Sequence, residues 1–279
     1  MTAAIGFVLA LVAAAGLWPL VRPLLSVPLF ARQNFRGVTL PVAAGLVIVM
    51  AVLLVATVLT PAVLWHDDDG LLGRTLASAV VTTTGFGLFG LLDDLAGSGR
   101  QRGFRGHLGA LAHGELTTGL LKLVGGGLVA IVASWFWAAG SLPDALAGAL
   151  VVALAANLGN LLDRAPGRVG KVSVAVFVVL AVTSHLAVPL TGTALIAGAG
   201  VGMLVPDLRE RCMLGDTGAN VLGAGAGLGL VATTGPGTWW IAAVVLGALN
   251  ALSERVSFSD VIARIPPLRW LDHLGRPPR

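Results

Sequence analysis

Residues 41–60 read PVAAGLVIVMAVLLVATVLT and contain no charged side chain. A helix of about 20 such residues spans the roughly 30 Å hydrocarbon core of a bilayer, so this stretch predicts a transmembrane helix. Of the 279 residues in the chain, 56% are hydrophobic and only 11% are charged, and the mean hydropathy is +0.89. A soluble domain of this length carries more polar side chains, so the composition indicates an integral membrane protein.

Similar apolar segments recur along the whole chain and predict an all-α, polytopic helix bundle of about nine or ten transmembrane helices. The nine segments cover residues 4–21, 41–60, 75–92, 116–137, 144–162, 171–189, 191–206, 217–234 and 238–252. We expect residues 1–252 to form the membrane domain, and residues 253–279 to form an amphipathic tail at the membrane surface that belongs to the same domain. The first segment lacks a preceding basic stretch, which favours a span over a cleaved signal peptide.

Basic residues predict how the bundle is oriented. All but two of the 18 Lys and Arg residues, Arg74 and Lys122, fall in the tail or in loops on one predicted side of the membrane. Because basic loops stay in the cytoplasm, we expect an external N-terminus and a cytoplasmic C-terminus. The basic residues therefore describe topology, and nothing in their pattern predicts nucleic-acid binding. GxxxG patterns at 198–202 and 223–227 favour close helix packing and are compatible with a homodimer.

Polar stretches interrupt the apolar pattern at four membrane ends on the predicted cytoplasmic side. They are residues 34–41, 90–107, 157–168 and 214–220. Carboxylates and amides at such positions are unfavourable unless they are paired, hydrated or bound to an ion. Their occurrence on one side of the membrane therefore predicts a functional pocket on the cytoplasmic face.

The carboxylates of these stretches suit a metal ion and its phosphate ligands. Hard oxygen ligands of the kind that Mg²⁺ takes alongside substrate phosphates come from Asp93, Asp94, Asp163 and Asp216. Asp216 also begins a predicted helix, whose N-terminal N–H groups favour phosphate. Structural explanations stay open, because Asp93 and Asp94 also fit a solvated helix end, and Asp216 followed by Thr217 also fits a helix N-cap.

The amides and cations beside these carboxylates also have two explanations each. Asn157 and Asn160 are three residues apart and share a helix face, where they fit either interhelical hydrogen bonding or a pocket. Lys122, inside the fourth segment, either reaches the lipid headgroups or binds a phosphate or carboxylate. Arginines can clamp phosphate bidentately, although several of them act as topology signals. Acidic metal ligands and cationic clamps at headgroup depth together predict phosphoryl chemistry on a lipid.

The order of these motifs resembles that of the polyprenyl-phosphate N-acetylhexosamine-1-phosphate transferases, the integral membrane family that includes phospho-N-acetylmuramoyl-pentapeptide transferase. GLLDD at 90–94 is similar to the family's aspartate pair, NLGNLLD at 157–163 to its Asn-x-x-Asn-Leu-x-Asp motif, and GDTGAN at 215–220 to its Gly-Asp-x-Gly-Ser segment. The segment 34–45 is a weaker match. Together the motifs extend over about residues 34–223.

This resemblance implies a glycosyltransferase in the bacterial cytoplasmic (inner) membrane that serves cell-envelope glycan synthesis, with residues 1–252 as its catalytic domain. A polyprenyl phosphate (undecaprenyl or decaprenyl) would attack the β-phosphate of a UDP-N-acetyl-sugar and release UMP, with Mg²⁺ or Mn²⁺ bridging the diphosphate. Asp216 would be a metal ligand. Asp93 would deprotonate or orient the lipid phosphate, and Asp94 would assist at the metal or the phosphate.

The resemblance also assigns the remaining candidates. Asp163 would act at the nucleotide diphosphate as a third catalytic aspartate. The implied substrate-binding residues are Asn34, Asn157, Asn160, Arg164, Arg168, Arg105, His107 and Lys122.

Two departures from the family pattern favour an alternative function. Pro166 stands where the family has a further aspartate, and the tail lacks the family's histidine cluster, part of whose role would fall to residues 253–255. The alternative is a non-catalytic relative that binds polyprenyl phosphate or scaffolds envelope-synthesis enzymes. A transporter or channel ranks last, because only Lys122 places a charge inside a predicted span.

Overall fold

The computed structural model describes residues 2–96 and 118–277. Within these ranges, long helices occupy the nine predicted apolar segments, two short helices form the tail, and a small hairpin precedes the second long helix. The helices are α1 (Thr2–Leu25), α2 (Leu46–His66), α3 (Leu71–Ala96), α4 (Thr118–Trp135), α5 (Leu142–Leu162), α6 (Arg168–Thr183), α7 (Thr191–Leu208), α8 (Gly215–Thr233), α9 (Pro236–Ser253), α10 (Phe258–Arg264) and α11 (Pro266–His273). The strands are β1 (Ala31–Gln33) and β2 (Thr39–Pro41).

Seven helices of the described ranges are long and apolar enough to cross a membrane. These are α1 to α5, α7 and α9. Of the other two long helices, α6 has only 16 residues, and α8 begins with the polar sequence GDTGAN. The all-α membrane bundle is therefore confirmed in outline, while the count of nine or ten spans stays a prediction.

Side-chain exposure fits a bundle surrounded by lipid. Large apolar side chains cover the outside of the helices, with Leu20 71%, Leu64 73% and Val244 70% exposed. Such a surface would be unfavourable in water and indicates a bilayer environment.

Small residues set the close packing between helices, as the GxxxG patterns predict. A Cβ atom on Gly198 of α7 would lie 2.1 Å from the carbonyl oxygen of Phe7 in α1. A Cβ atom on Gly223 of α8 would lie 2.3 Å from the carbonyl oxygen of Ala155 in α5. Both approaches exclude any larger residue, so α1 packs backbone to backbone on α7, and α5 does so on α8.

The hairpin is a local departure from the predicted all-α fold. The antiparallel strands pair Ala31 with Pro41, and α2 begins at Leu46 rather than at the predicted residue 41. The intervening backbone is held by the α7–α8 loop, because the N–H groups of Ala44 and Gly45 donate to the carbonyls of Met213 and Leu214, at 3.1 and 3.0 Å. Hydrogen bonds to a distant loop therefore replace the first helical turn.

Candidate functional site

The N-terminus of α8 forms the base of the site, and its cap comes from another helix. Asp94, near the end of α3, accepts hydrogen bonds from the N–H groups of Asp216 and Thr217, at 2.9 and 3.0 Å, and from the Thr217 hydroxyl at 2.6 Å. The explanation that Asp216 itself caps this helix is therefore wrong. The first turn of α8 already has an anionic partner in Asp94.

Glycines allow this close assembly. Gly215 has φ of +68°, and a Cβ atom there would lie 2.5 Å from Oδ2 of Asp94. On α3, a Cβ atom on Gly90 would lie 2.4 Å from the carbonyl oxygen of Asp216. On α5, a Cβ atom on Gly159 would lie 2.5 Å from the carbonyl oxygen of Ala219. The polar ends of α3 and α5 are thus pressed directly against α8.

Asp216 is the centre of a group of four side chains that we call the Lys122 cluster: Asp93, Lys122, Asn160 and Asp216. Oδ2 of Asp216 accepts hydrogen bonds from the ammonium of Lys122 and, at 2.9 Å, from Nδ2 of Asn160. The Lys122 ammonium also lies 3.8 Å from Oδ2 of Asp93. Lys122 therefore binds carboxylates, which favours the second of its two explanations over a side chain that reaches the lipid headgroups. The three charged side chains are 17–25% exposed and remain within reach of solvent.

A cavity of about 330 Å³ adjoins the cluster, and all four predicted polar stretches contribute to its wall. We call it the site cavity. The polar side chains among its lining residues are Gln33, Asn34, Asp94, Asn160, Asp163, Arg164, Asp207, Glu210 and Asp216. The predicted convergence of distant polar segments at one end of the bundle is therefore what the structure shows.

Asp163 lies at the C-terminal end of α5, where its backbone N–H donates to the carbonyl of Gly159 at 3.1 Å. Burial raises the pKa of this carboxyl well above its usual value, and the nearby carboxylates of Asp207, Asp216 and Asp94 raise it further. Asp163 is half-buried, and an acid in this position among other acids is unfavourable for folding, which is typical of a residue kept for function.

The hairpin reaches the cavity through Asn34. Oδ1 of Asn34 accepts from the N–H groups of Arg36 and Val38, at 2.9 and 3.0 Å, and Nδ2 donates to Glu210 at 2.8 Å. Arg36 pairs with the other oxygen of Glu210 at 3.0 Å. Arg32 then donates to the carbonyl of Asp94 at 3.0 Å, so the hairpin also holds the end of α3.

Asp207 and Glu210 are lining residues that sequence reasoning missed. Both follow the apolar segment 191–206 on the predicted cytoplasmic side, and their acidity in an otherwise basic loop was the available signal. Asp207 accepts a hydrogen bond from the Gly167 N–H at 2.9 Å.

Besides Lys122, two expected substrate-binding residues in the described part of the chain lie outside the cavity lining. Asn157 donates to Oδ1 of Asn250 in α9 at 2.6 Å, which is the interhelical hydrogen bonding considered as its alternative. Arg168 is 6% exposed and forms a bidentate pair with Asp272 in α11, at 2.8 and 3.0 Å. Both side chains are occupied because helices α9 and α11 cover this side of α5 and α6.

The remaining candidates divide between the cavity wall and the undescribed part of the chain. Arg164 is exposed and lines the site cavity. Arg105 and His107 lie outside the described residues.

The carboxylates of the site can be compared with the ligands that the implied divalent ion prefers. Mg²⁺ commonly takes one or two protein carboxylates and completes its shell with water and substrate phosphates. Asp216, with Asp163 on the wall of the same cavity, fits this preference in donor type. Both oxygens of Asp94 are engaged in capping α8, which favours a supporting role for this residue over the expected metal ligation.

A comparison of the chain with protein-family models finds no match, and a comparison with curated proteins finds none either. The family resemblance therefore stays a prediction from the motifs.

Proposed function

We propose that the chain is a phosphoglycosyl transferase of the bacterial inner membrane. It moves a sugar 1-phosphate from a UDP-N-acetyl-sugar to a polyprenyl phosphate and releases UMP, for cell-envelope glycan synthesis. The observation that supports this most is the meeting of four distant polar stretches around one cavity beside the Lys122 cluster. Carboxylates kept together at a membrane end are unfavourable without a charged ligand, and a diphosphate with its metal ion is such a ligand.

The position of each side chain suits it to a separate role in this reaction. Lys122 pairs with Asp216 and Arg164 lines the site cavity, so both are suited to hold phosphate oxygens of the two substrates. Asp93, whose Oδ2 lies 3.8 Å from the Lys122 ammonium, is suited to orient the lipid phosphate or accept its proton. Asn160 fixes the Asp216 carboxylate. The helix N-terminus is already capped by Asp94, so phosphate binding falls to side chains.

Asp216, with Asp163 nearby, would hold Mg²⁺ or Mn²⁺, which would neutralise charge on the diphosphate as the bond to UMP breaks. Asp94 keeps α8 in place and so sets where Asp216 points.

A second candidate function is a non-catalytic relative that binds polyprenyl phosphate. The engagement of Asp94 in a helix cap and of Arg168 in an ion pair favours it, because both side chains are then absent from substrate binding.

One experiment separates the two. Purified protein is incubated with undecaprenyl phosphate, Mg²⁺ and a panel of UDP-N-acetyl-sugars, and UMP is measured. The transferase releases UMP with at least one sugar, and only when the lipid phosphate is present. Lipid binding without UMP from any sugar would favour the non-catalytic relative.

A further inference from the structure

The C-terminal tail is anchored by the protein rather than by its own helices. Helices α10 and α11 contain seven and eight residues, which is too short to be stable alone in water. One side of the tail exposes apolar groups, with Trp270 64% and Leu274 50% exposed, as expected at a membrane surface. The other side carries Asp272, which is only 8% exposed.

Asp272 is the centre of a group that we call the tail clamp: Arg168, Lys171, Asp272 and Arg276. Arg168 donates to both oxygens of Asp272, and Arg276 donates to Oδ1 at 2.7 Å. Burial alone raises the pKa of Asp272, but the hydrogen bond and charge of Arg168 and the charge of Arg276 hold it below the usual value. Asp272 is therefore a carboxylate at neutral pH.

Two more contacts join the tail to α6 and to the α5–α6 loop. The Lys171 ammonium donates to the carbonyls of Leu271 and Asp272, at 2.8 and 2.7 Å, near the C-terminus of α11. Nε of Arg276 donates to the carbonyl of Pro166 at 3.0 Å. The clamp thus reaches the backbone of the loop itself.

That loop is one wall of the site cavity. All four residues 163–166 line it, including Asp163 and Arg164. On the cavity side the loop is held by the bond from the Gly167 N–H to Asp207. It is also held by the tail clamp, through the hydrogen bond from Arg276 to the carbonyl of Pro166. Two carboxylates therefore fix the loop: Asp207 directly, and Asp272 through the arginine that it pairs with.

We propose that Asp272 is a positioning residue for the nucleotide-sugar site: by pairing with Arg168 and Arg276 it holds the 163–166 wall where Asp163 and Arg164 meet the UDP moiety. This inference rests on the proposed function. Removing one partner of a buried pair leaves the other charge uncompensated, so the wall shifts when Asp272 loses its charge. A displacement near 1 Å at a substrate-positioning element lowers binding or rate by about tenfold or more.

The test compares Asp272→Asn with Asp272→Glu and with Asp260→Asn, which changes an exposed aspartate of the same tail. Binding of UDP is measured by titration calorimetry, and hydrogen exchange is followed at residues 163–170. Asp272→Asn is expected to weaken UDP binding about tenfold and to speed exchange in this loop. Asp272→Glu recovers most of the affinity, and Asp260→Asn leaves it unchanged.

Steady-state kinetics separate positioning from simple loss of folded protein. Asp272→Asn is expected to raise KM for the UDP-sugar about tenfold while KM for the lipid phosphate stays constant. A smaller folded fraction would lower only the apparent kcat. If Asp272→Asn does not fold, Arg276→Lys, which keeps the charge but loses the planar donor set, is expected to raise the same KM more weakly.

Each remaining outcome decides a different point. Unchanged UDP affinity in folded Asp272→Asn overturns the positioning role. Weakened UDP binding in a protein that never releases UMP retains that role and overturns the proposed transferase. Absence of UDP binding by the wild-type protein overturns both.

Discussion

The Lys122 cluster and the tail clamp both join cations to aspartates, but their surroundings differ. In the clamp, Arg168 and Asp272 have side chains only 8% exposed, and all three nitrogens of the guanidinium donate, two to Asp272 and one to Ser259. In the Lys122 cluster, the charged side chains are 17–25% exposed, and one ammonium faces two carboxylates. The clamp is therefore buried, with every guanidinium nitrogen of Arg168 hydrogen-bonded, while the cluster borders a cavity.

This difference supports a structural role for the clamp and, under the proposed function, a ligand-binding role for the cluster. A saturated buried pair fixes geometry and has no capacity left for a ligand. A cluster with more carboxylates than cations, at the edge of a cavity that also holds Asp94, Asp163 and Asp207, has excess negative charge that a metal ion can offset. Arg168 and Asp216 both looked like site residues in the sequence, and only their partners separate them.

The largest expected effect comes from removing the charge of Asp216. Asp216→Asn keeps the shape and the contact to Asn160 but loses the carboxylate, so UMP release is expected to fall by at least about 100-fold. Thermal unfolding is expected to stay cooperative. The matched control is Asp68→Asn, an exposed aspartate at the opposite end of α3. Turnover near the wild-type level in Asp216→Asn would remove this residue from the site.

Neighbouring aspartates on α3 are expected to behave differently from each other. Asp94→Ala removes three hydrogen bonds from the first turn of α8, so we expect a loss of about 1–3 kcal/mol in unfolding free energy together with loss of activity. Asp93→Ala removes a carboxylate 3.8 Å from the Lys122 ammonium but leaves the Asp94 cap of α8 in place, so it is expected to lower turnover with a smaller change in Tm. Thermal melts of both variants in one detergent check this, and equal losses of stability would contradict it.

Replacing Asp163 is expected to have the smallest effect on stability, and to raise Tm rather than lower it. Because burial and neighbouring carboxylates raise its pKa, the wild-type protein is destabilised at pH above that raised value, and the penalty disappears as the pH falls below the usual value of 3.8. Asp163→Asn is therefore expected to raise Tm by about 2–4 °C at neutral pH while it lowers turnover. Melts across pH 4–8 should show the Tm difference shrinking with acidity; a lower Tm for Asp163→Asn at neutral pH would exclude this explanation.

Sequence periodicity could predict much of the fold because it reports local structure. The nine long described helices overlap the nine apolar segments, and the GxxxG glycines pack helices as expected. The predicted start of α2 is five residues too early, since the N–H groups of Ala44 and Gly45 bond to a loop far along the chain. Hydropathy carries no information about such partners.

The stretches that form the site could be predicted from the sequence. The pairs of side chains that interact within it could not. Motif order and one-sided placement indicated that residues 34–41, 90–107, 157–168 and 214–220 meet, and described residues of all four line the site cavity. The capping of α8 by Asp94 joins residues 122 positions apart, and the pair of Arg168 with Asp272 joins residues 104 apart. Pairings at this separation depend on how helices pack, so an arginine in a motif cannot be assigned to substrate or to structure from sequence alone.

The proposed reaction is tested most directly by following the β-phosphate of the donor. UDP-N-acetyl-sugars labelled with ³²P at that phosphate are incubated with protein, polyprenyl phosphate and Mg²⁺, and the lipid and aqueous phases are separated. Transfer of a sugar 1-phosphate places the label in the lipid and leaves UMP unlabelled. Label recovered in UDP, or retained entirely in the donor for every sugar while the lipid phosphate is bound, would contradict the proposed function.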